Sequence, residues 1–154
     1  MSAAREKLSL VVNNATSAEM TAEKCPFCDR VAAGGLLVAG VLTASFLDAY
    51  PLNPGHALVV PRRHVASFWD LDRSEITEMF AVASSTREAI DARFAPDGYN
   101  LGVNVGETAG QTIFHANLHL IPRYRGDDSD PRGGVRWILP DRAVHGGGRP
   151  GCLQ

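Results

Sequence analysis

The chain has 154 residues, 45% of them hydrophobic and 21% charged, with a formal net charge of -2. That length supports one sizeable hydrophobic core and is short for two, and the composition excludes a fibrous or mostly disordered chain. The charge offers no global attraction to nucleic acid or to an acidic membrane, so neither is expected as a partner, and no apolar run is long enough to cross a bilayer.

Residues 1–24 are mixed and polar and read as an N-terminal arm with at most one helical turn. Its apolar stretch from Leu8 to Val12 is cut short by Asn13 and Asn14, a poor secretory core, so the cytoplasm is the expected location. From Leu36 the pattern turns apolar and β-like, giving two short strands broken near Gly40. Pro51, Pro54 and Gly55 mark a turn, after which residues 56–60 read as a strand ended by Pro61. The best helix spans residues 72–94. Asp72 caps it with Glu75 three positions on, and Ile76, Met79, Phe80, Ala83, Ile90 and Phe94 form the apolar face. Residues 99–105 and 116–121 are the last two strands, followed by a polar loop at 125–134 and a frayed tail at 141–154. Strands and one helix without a repeated βαβ unit favour an antiparallel α+β domain over residues 25–140.

The chemistry concentrates near the last strand. His115, Asn117 and His119 alternate with Ala116 and Leu118, so in extended backbone they share one face. A row of polar side chains there is either solvated or, if buried, supplied with partners. Just upstream, Gly106 and Gly110 permit a tight turn, with Gln111 and Thr112 at its exit. The backbone amides of such a turn can meet phosphate oxygens. Cys25 and Cys28 form a Cys-x-x-Cys pair, and Cys152 stands alone in the tail. The pair offers two thiolates to a metal, its other ligands unassigned by local spacing, and the flanking pattern disfavours a thioredoxin-like site.

The run Gly110-Gln-Thr-Ile-Phe-His115-Ala-Asn117-Leu-His119-Leu-Ile-Pro-Arg123 resembles the signature of the histidine-triad (HIT) superfamily of nucleotide hydrolases and transferases. The resemblance extends back to Cys25 through Phe46-Leu-Asp48, Pro54-Gly-His56 and Val60-Pro-Arg-Arg-His64. It implies a HIT-like fold with an antiparallel sheet of about five strands and one long helix, paired as a homodimer. It places His115, Asn117 and His119 at the three triad positions and His56 at the supporting histidine. Asp48 falls at the ribose position, and Asn104, Gln111 and Thr112 at positions near the α-phosphate or leaving group, with Thr112 or His119 assisting proton transfer. Apolar side chains near residues 36–46 are expected around the base, and an adenine nucleotide or adenylated small molecule is the expected ligand. The zinc-containing branch of the superfamily implies a structural zinc on Cys25, Cys28, His64 and His115. In residues 130–138, Arg132 or Arg136 offers a basic lip, with a solvated loop the equal alternative.

One departure governs the expected mechanism. In the active family pattern the middle histidine attacks the α-phosphorus and forms a nucleotidyl-histidine, which water then hydrolyses to the nucleoside monophosphate. Asn117 has a neutral amide and is a poor nucleophile, so binding is expected to survive while turnover falls. Three origins fit: an exchange that captures substrate or product, a binding-only sensor or adaptor, and chemistry moved to His119.

Overall fold

The structure, a computed structural model, describes residues 21–140 and Ala143. The expectations for the rest of the arm and tail, with His145 and Cys152, lie outside the described residues. A 3-10 turn at Ala22–Lys24 leads into helix α1 (Pro26–Ala33), then come strands β1 (Val38–Ala39), β2 (Thr43–Leu47) and β3 (Ala57–Pro61). Helix α2 (Arg73–Phe94) precedes β4 (Gly98–Gly102) and β5 (Leu118–Arg123), and a 3-10 segment covers Gly134–Ile138. The five strands form one sheet in the order β1-β2-β3-β5-β4, every neighbouring pair antiparallel. Among the described residues no helix is long and apolar enough to cross a membrane.

Alternation along the strands divides the core into two layers. On β3, Ala57 and Val59 pack with Met79, Val82, Ala83 and Ile90 of α2. Leu58 and Val60 point the other way, joining Phe46 of β2 and Phe27 and Val31 of α1. The sheet therefore carries α2 on one face and the short α1 on the other. Burying side chains such as Val59, Met79, Val82 and Ile90 contributes about 1.5–3 kcal/mol each.

Polar groups inside this layer are matched in a directed chain. Thr86 Oγ1 donates to the Val82 carbonyl at 2.7 Å, which leaves Ser45 Oγ to donate to Thr86 Oγ1 at 2.6 Å. Ser45 Oγ then accepts the Val38 amide at 3.2 Å. The Glu78 carboxylate accepts the amides of Val41, Leu42 and Thr43 at 3.0, 2.7 and 2.6 Å, fixing the β1–β2 turn to α2. Gly40 is required in that turn, because a Cβ there would lie 2.8 Å from Glu78 Oε2 and 2.9 Å from the Thr43 carbonyl.

The α+β expectation holds, as does the long helix capped by Asp72, where the Glu75 carboxylate accepts the Asp72 amide at 2.8 Å. Five details differ. Helix α1 was not expected; it starts with Pro26 in its first turn, where the absent N–H costs nothing, and is too short to show a helical period. Pro61 belongs to β3 instead of ending before it. It lies beyond the β3–β5 pairing, which covers only Ala57 to Val59, so its missing donor breaks no bond to β5. Strand β5 begins at Leu118, so His115 and Asn117 lie in the extended approach to it, and β4 ends at Gly102, where its pairing with β5 stops at His119. Phe80, assigned above to the apolar face of α2, is 52% exposed, since the buried stripe runs through Met79 and Ala83.

Candidate functional site

Cys25 caps the N-terminus of α1 and Cys28 lies in its first turn, so the two thiols project together towards the approach to β5. Cys25 Sγ lies 3.3 Å from His115 Nδ1, and Cys28 Sγ lies 3.5 Å from both His115 Nδ1 and His64 Nδ1. The donor atoms of all four residues fall within 4.8 Å of one another. A tetrahedral ion bound at about 2.3 Å by sulfur and 2.0 Å by nitrogen needs S···N edges of about 3.5 Å, so the set fits a divalent metal of zinc's size. His115 Nε2 donates to the Pro61 carbonyl at 2.9 Å, which leaves Nδ1 with its lone pair towards the sulfurs. Arg63 steadies the loop bearing His64 through a two-point contact with the buried Glu75, at 2.7 and 2.8 Å. Burial keeps the His115 imidazole neutral, and burial with the neighbouring Cys25 pushes the Cys28 thiol up to about 11. A bound cation would reverse that preference and hold the thiolate. The cluster is thus able to coordinate a metal, and it joins three segments distant in sequence.

Beside it opens a cavity of about 610 Å³. Pro26, Phe27, Phe46, Leu47, Leu58 and Ile113 form the apolar part of its lining, and Asp48, Asn104, Thr112, Asn117 and His119 bring polar side chains. Of the expected apolar wall at residues 36–46, only Phe46 is present. Helix α1 adds Pro26 and Phe27, a contribution that the Phe27 between the two cysteines signals only once α1 is recognised, and Leu47, Leu58 and Ile113 complete it. Tyr50 is a further lining residue with no signal in the sequence. Arg132 and Arg136 lie outside this lining; Arg132 pairs with Asp130 at 2.8 Å and Arg136 donates to the Ala143 carbonyl at 2.9 Å.

Asn117 is 6% exposed, and its Nδ2 donates to the His115 carbonyl at 2.9 Å. His119 stands two residues further along the same face. The Leu52 amide donates to His56 Nδ1 at 3.2 Å, which fixes the neutral tautomer of His56. His56 Nε2–H then donates to His119 Nδ1 at 3.1 Å, so His119 carries its proton on Nε2. Asp48 Oδ2 lies 3.6 Å from His56 Nδ1, beyond hydrogen-bond reach, while its Oδ1 accepts the Tyr50 amide at 2.9 Å. Asp48, His56 and His119 also lie within 4.8 Å of one another. Both His56 nitrogens are already committed, to the Leu52 amide and to His119, so His56 and His119 form a hydrogen-bonded pair with Asp48 beside it, an arrangement unlike a metal site. Gln111 uses its whole amide on the loop: Oε1 accepts the Gly106 amide at 2.9 Å, and Nε2 donates to Ala66 and Ile113 carbonyls at 2.7 and 3.2 Å. Gly106 and Gly110 take positive φ in that loop, so Gln111 shapes the wall that carries Thr112.

Burial lowers the pKa of both His56 and His119 from the ordinary 6.5; Asp48 offsets this in part, and His119 adds to it at His56. Above pH 6.5 the imidazoles are neutral in the folded and unfolded chain alike, and their burial carries no protonation penalty. Below that value the unfolded chain takes up protons first, so stability falls as pH drops through 6.5 towards the folded pKa. Thermal unfolding between pH 8 and pH 5 should show the midpoint falling on the acid side, with a smaller fall in His119→Gln. An equal fall in both proteins would contradict the role given to this pair.

The HIT domain profile matches residues 36–126. AP-4-A phosphorylase of Mycobacterium tuberculosis is 40% identical over 95 residues, which make up 60% of this chain and 49% of that protein. The asymmetrical bis(5'-nucleosyl)-tetraphosphatase of Schizosaccharomyces pombe is 38% identical over 89 residues, 58% of this chain and 49% of that one. The chain thus spans about half the length of these two relatives. Among solved structures, a HIT family protein from Bacillus anthracis superposes with a TM-score of 0.64 at 38% identity, covering 70% of this chain and 79% of its own. A Zn-bound histidine triad family protein from Mycobacterium smegmatis gives 0.63 at 29% identity, covering 77% and 92%. With more than half its length matched to the domain, the chain belongs to the HIT family.

Proposed function

We propose that the cavity binds a nucleotide as a nucleoside monophosphate or its uncleaved conjugate, and that this chain turns the conjugate over very slowly. The observation that carries the reading is Asn117, seated at the middle triad position in an otherwise furnished pocket. Phe46 near the end of β2 and Asp48 just beyond that strand both line the cavity, an order suited to a base followed by a ribose. Asn117, His119 and Thr112 then meet the phosphate. In the family reaction an imidazole nitrogen bonds to the α-phosphorus while the bond to the leaving group breaks, and water later cleaves the P–N bond. Asn117 has no such nitrogen lone pair, and its Nδ2 is already engaged by the His115 carbonyl. His119, with its proton on Nε2, is placed to donate to a phosphate oxygen or a leaving group.

The two relatives are named as a phosphorylase and a tetraphosphatase, and on that ground dinucleoside polyphosphates are the substrates to try; the family resemblance adds nucleoside phosphoramidates. Adenine is the base that the family resemblance suggests. A nucleotide sensor or adaptor is the second reading, favoured by the same Asn117. Both proteins, native and Asn117→His, should bind a nucleoside monophosphate, and Asn117→His should hydrolyse these substrates about a thousandfold faster or more, with a nucleotidyl adduct on the new histidine. Equal hydrolysis by the two defeats the assignment of position 117, and binding without any hydrolysis in Asn117→His selects the sensor reading.

Zinc is the metal we assign to Cys25, Cys28, His64 and His115, because two thiolates and two imidazoles at these spacings make a closed tetrahedral set. Its chemistry there is structural: a filled shell leaves no open position for substrate. The chain's own part is to hold α1 against the approach to β5, and metal analysis should return about one zinc per chain. A homodimer is also proposed, since β4 leaves one side unpaired at the edge of the sheet with Leu101 41% exposed on it. Sedimentation at twice the chain mass supports this pairing, and a monomer at all practical concentrations removes it.

A further inference from the structure

Among the described residues that line the cavity, Arg30 is the one cationic side chain. It follows Phe27 by three positions on α1, and its guanidinium carbon lies 5.9 Å from the centre of the Phe46 ring. The charge is therefore stationed over the aromatic corner made by Phe27 and Phe46, where a base would lie. Among the described residues this guanidinium makes a single hydrogen bond, at 3.3 Å to the Gly35 carbonyl. That leaves most of its five N–H donors available. The aromatic and aliphatic side chains beside it have no hydrogen-bonding groups with which to read a base edge.

From this placement, and resting on the nucleotide reading above, we infer that Arg30 selects the base and that the base it selects is guanine. A guanidinium presents donors only, in a planar fork. Guanine offers it two adjacent acceptors, O6 and N7, whereas adenine offers N7 beside an amino group that also donates. Facing adenine, the fork meets one acceptor and one opposed donor. Hypoxanthine keeps O6 and N7 and lacks only the amino group at C2, so a side chain reading the O6/N7 edge treats it as guanine. The adenine preference suggested by the family resemblance is reversed for this chain.

Calorimetric titration of the full chain with GMP, IMP and AMP tests the inference, alongside Arg30→Ala and Arg30→Lys. Arg30 is exposed, so neither substitution removes a buried contact. The native protein should bind GMP and IMP about tenfold more tightly than AMP, and Arg30→Ala should bring the three together. AMP binding as tightly as GMP to the native protein, or a preference retained in full by Arg30→Ala, overturns the inference and leaves the nucleotide reading standing. An equal weakening of all three nucleotides in both variants, with the preference unchanged, also overturns it and gives Arg30 to the phosphate instead. If the native protein binds none of the three, the nucleotide reading itself fails and this inference falls with it.

Discussion

The contact between His115 and the two cysteines of α1 is the constraint from which the site follows. His115 is fixed from one side by the Pro61 carbonyl and approached from the other by Cys25 and Cys28. Two residues later Asn117 lines the cavity, and two after that His119. The helix that brings the cysteines also brings Pro26, Phe27 and Arg30 to the opposite wall. Floor and wall of the cavity thus share one anchor. Among the described residues, α1 otherwise packs chiefly through Phe27 and Val31 against Phe46, Leu58 and Val60. A helix of eight residues has little stability of its own, so its position depends on what ties it down.

Electrostatics in the cavity follow from the same burial. Burial holds the His56 and His119 imidazoles towards the neutral form, Asp48 stands beside them, and Gln111 is consumed by the loop, so the phosphate of the proposed nucleotide would meet hydrogen-bond donors more than positive charge. Such a site favours directional N–H contacts, which are worth more where water is excluded. Arg30 brings a cation to the aromatic corner, over the Phe46 ring. On the proposed reading, the Asn117 amide standing where the family pattern has an imidazole would keep this neutral, donor-rich character and would lack the group able to form a bond to phosphorus.

Much of this was legible along the chain, for identifiable reasons. Helix α2 carries both its capping pair and a helical apolar period, and β2 and β3 carry β-like runs bounded by Gly40 and Pro61, signals that are local. His115, Asn117 and His119 announce one face by simple alternation. The partners of Cys25 and Cys28 were not legible from spacing, because His64 and His115 lie 36 and 87 residues beyond Cys28; the family resemblance alone suggested the set. Helix α1 was missed because eight residues with Phe27 and Val31 as their apolar seam show no period. The start of β5 was placed too early, because alternation persists in extended backbone that has no strand partner. Phe80 followed the helical period yet faces outward, since periodicity marks a stripe and not its width.

The central claim is that the Cys/His cluster, by holding α1, makes one wall of the nucleotide cavity. The most direct measurement is nucleotide affinity before and after a chelator strips the metal, with circular dichroism reporting whether the sheet and α2 persist. The account predicts that the stripped protein keeps its secondary structure and loses most of its affinity, and that adding zinc back restores it. Unchanged affinity in a stripped and still folded protein would contradict it.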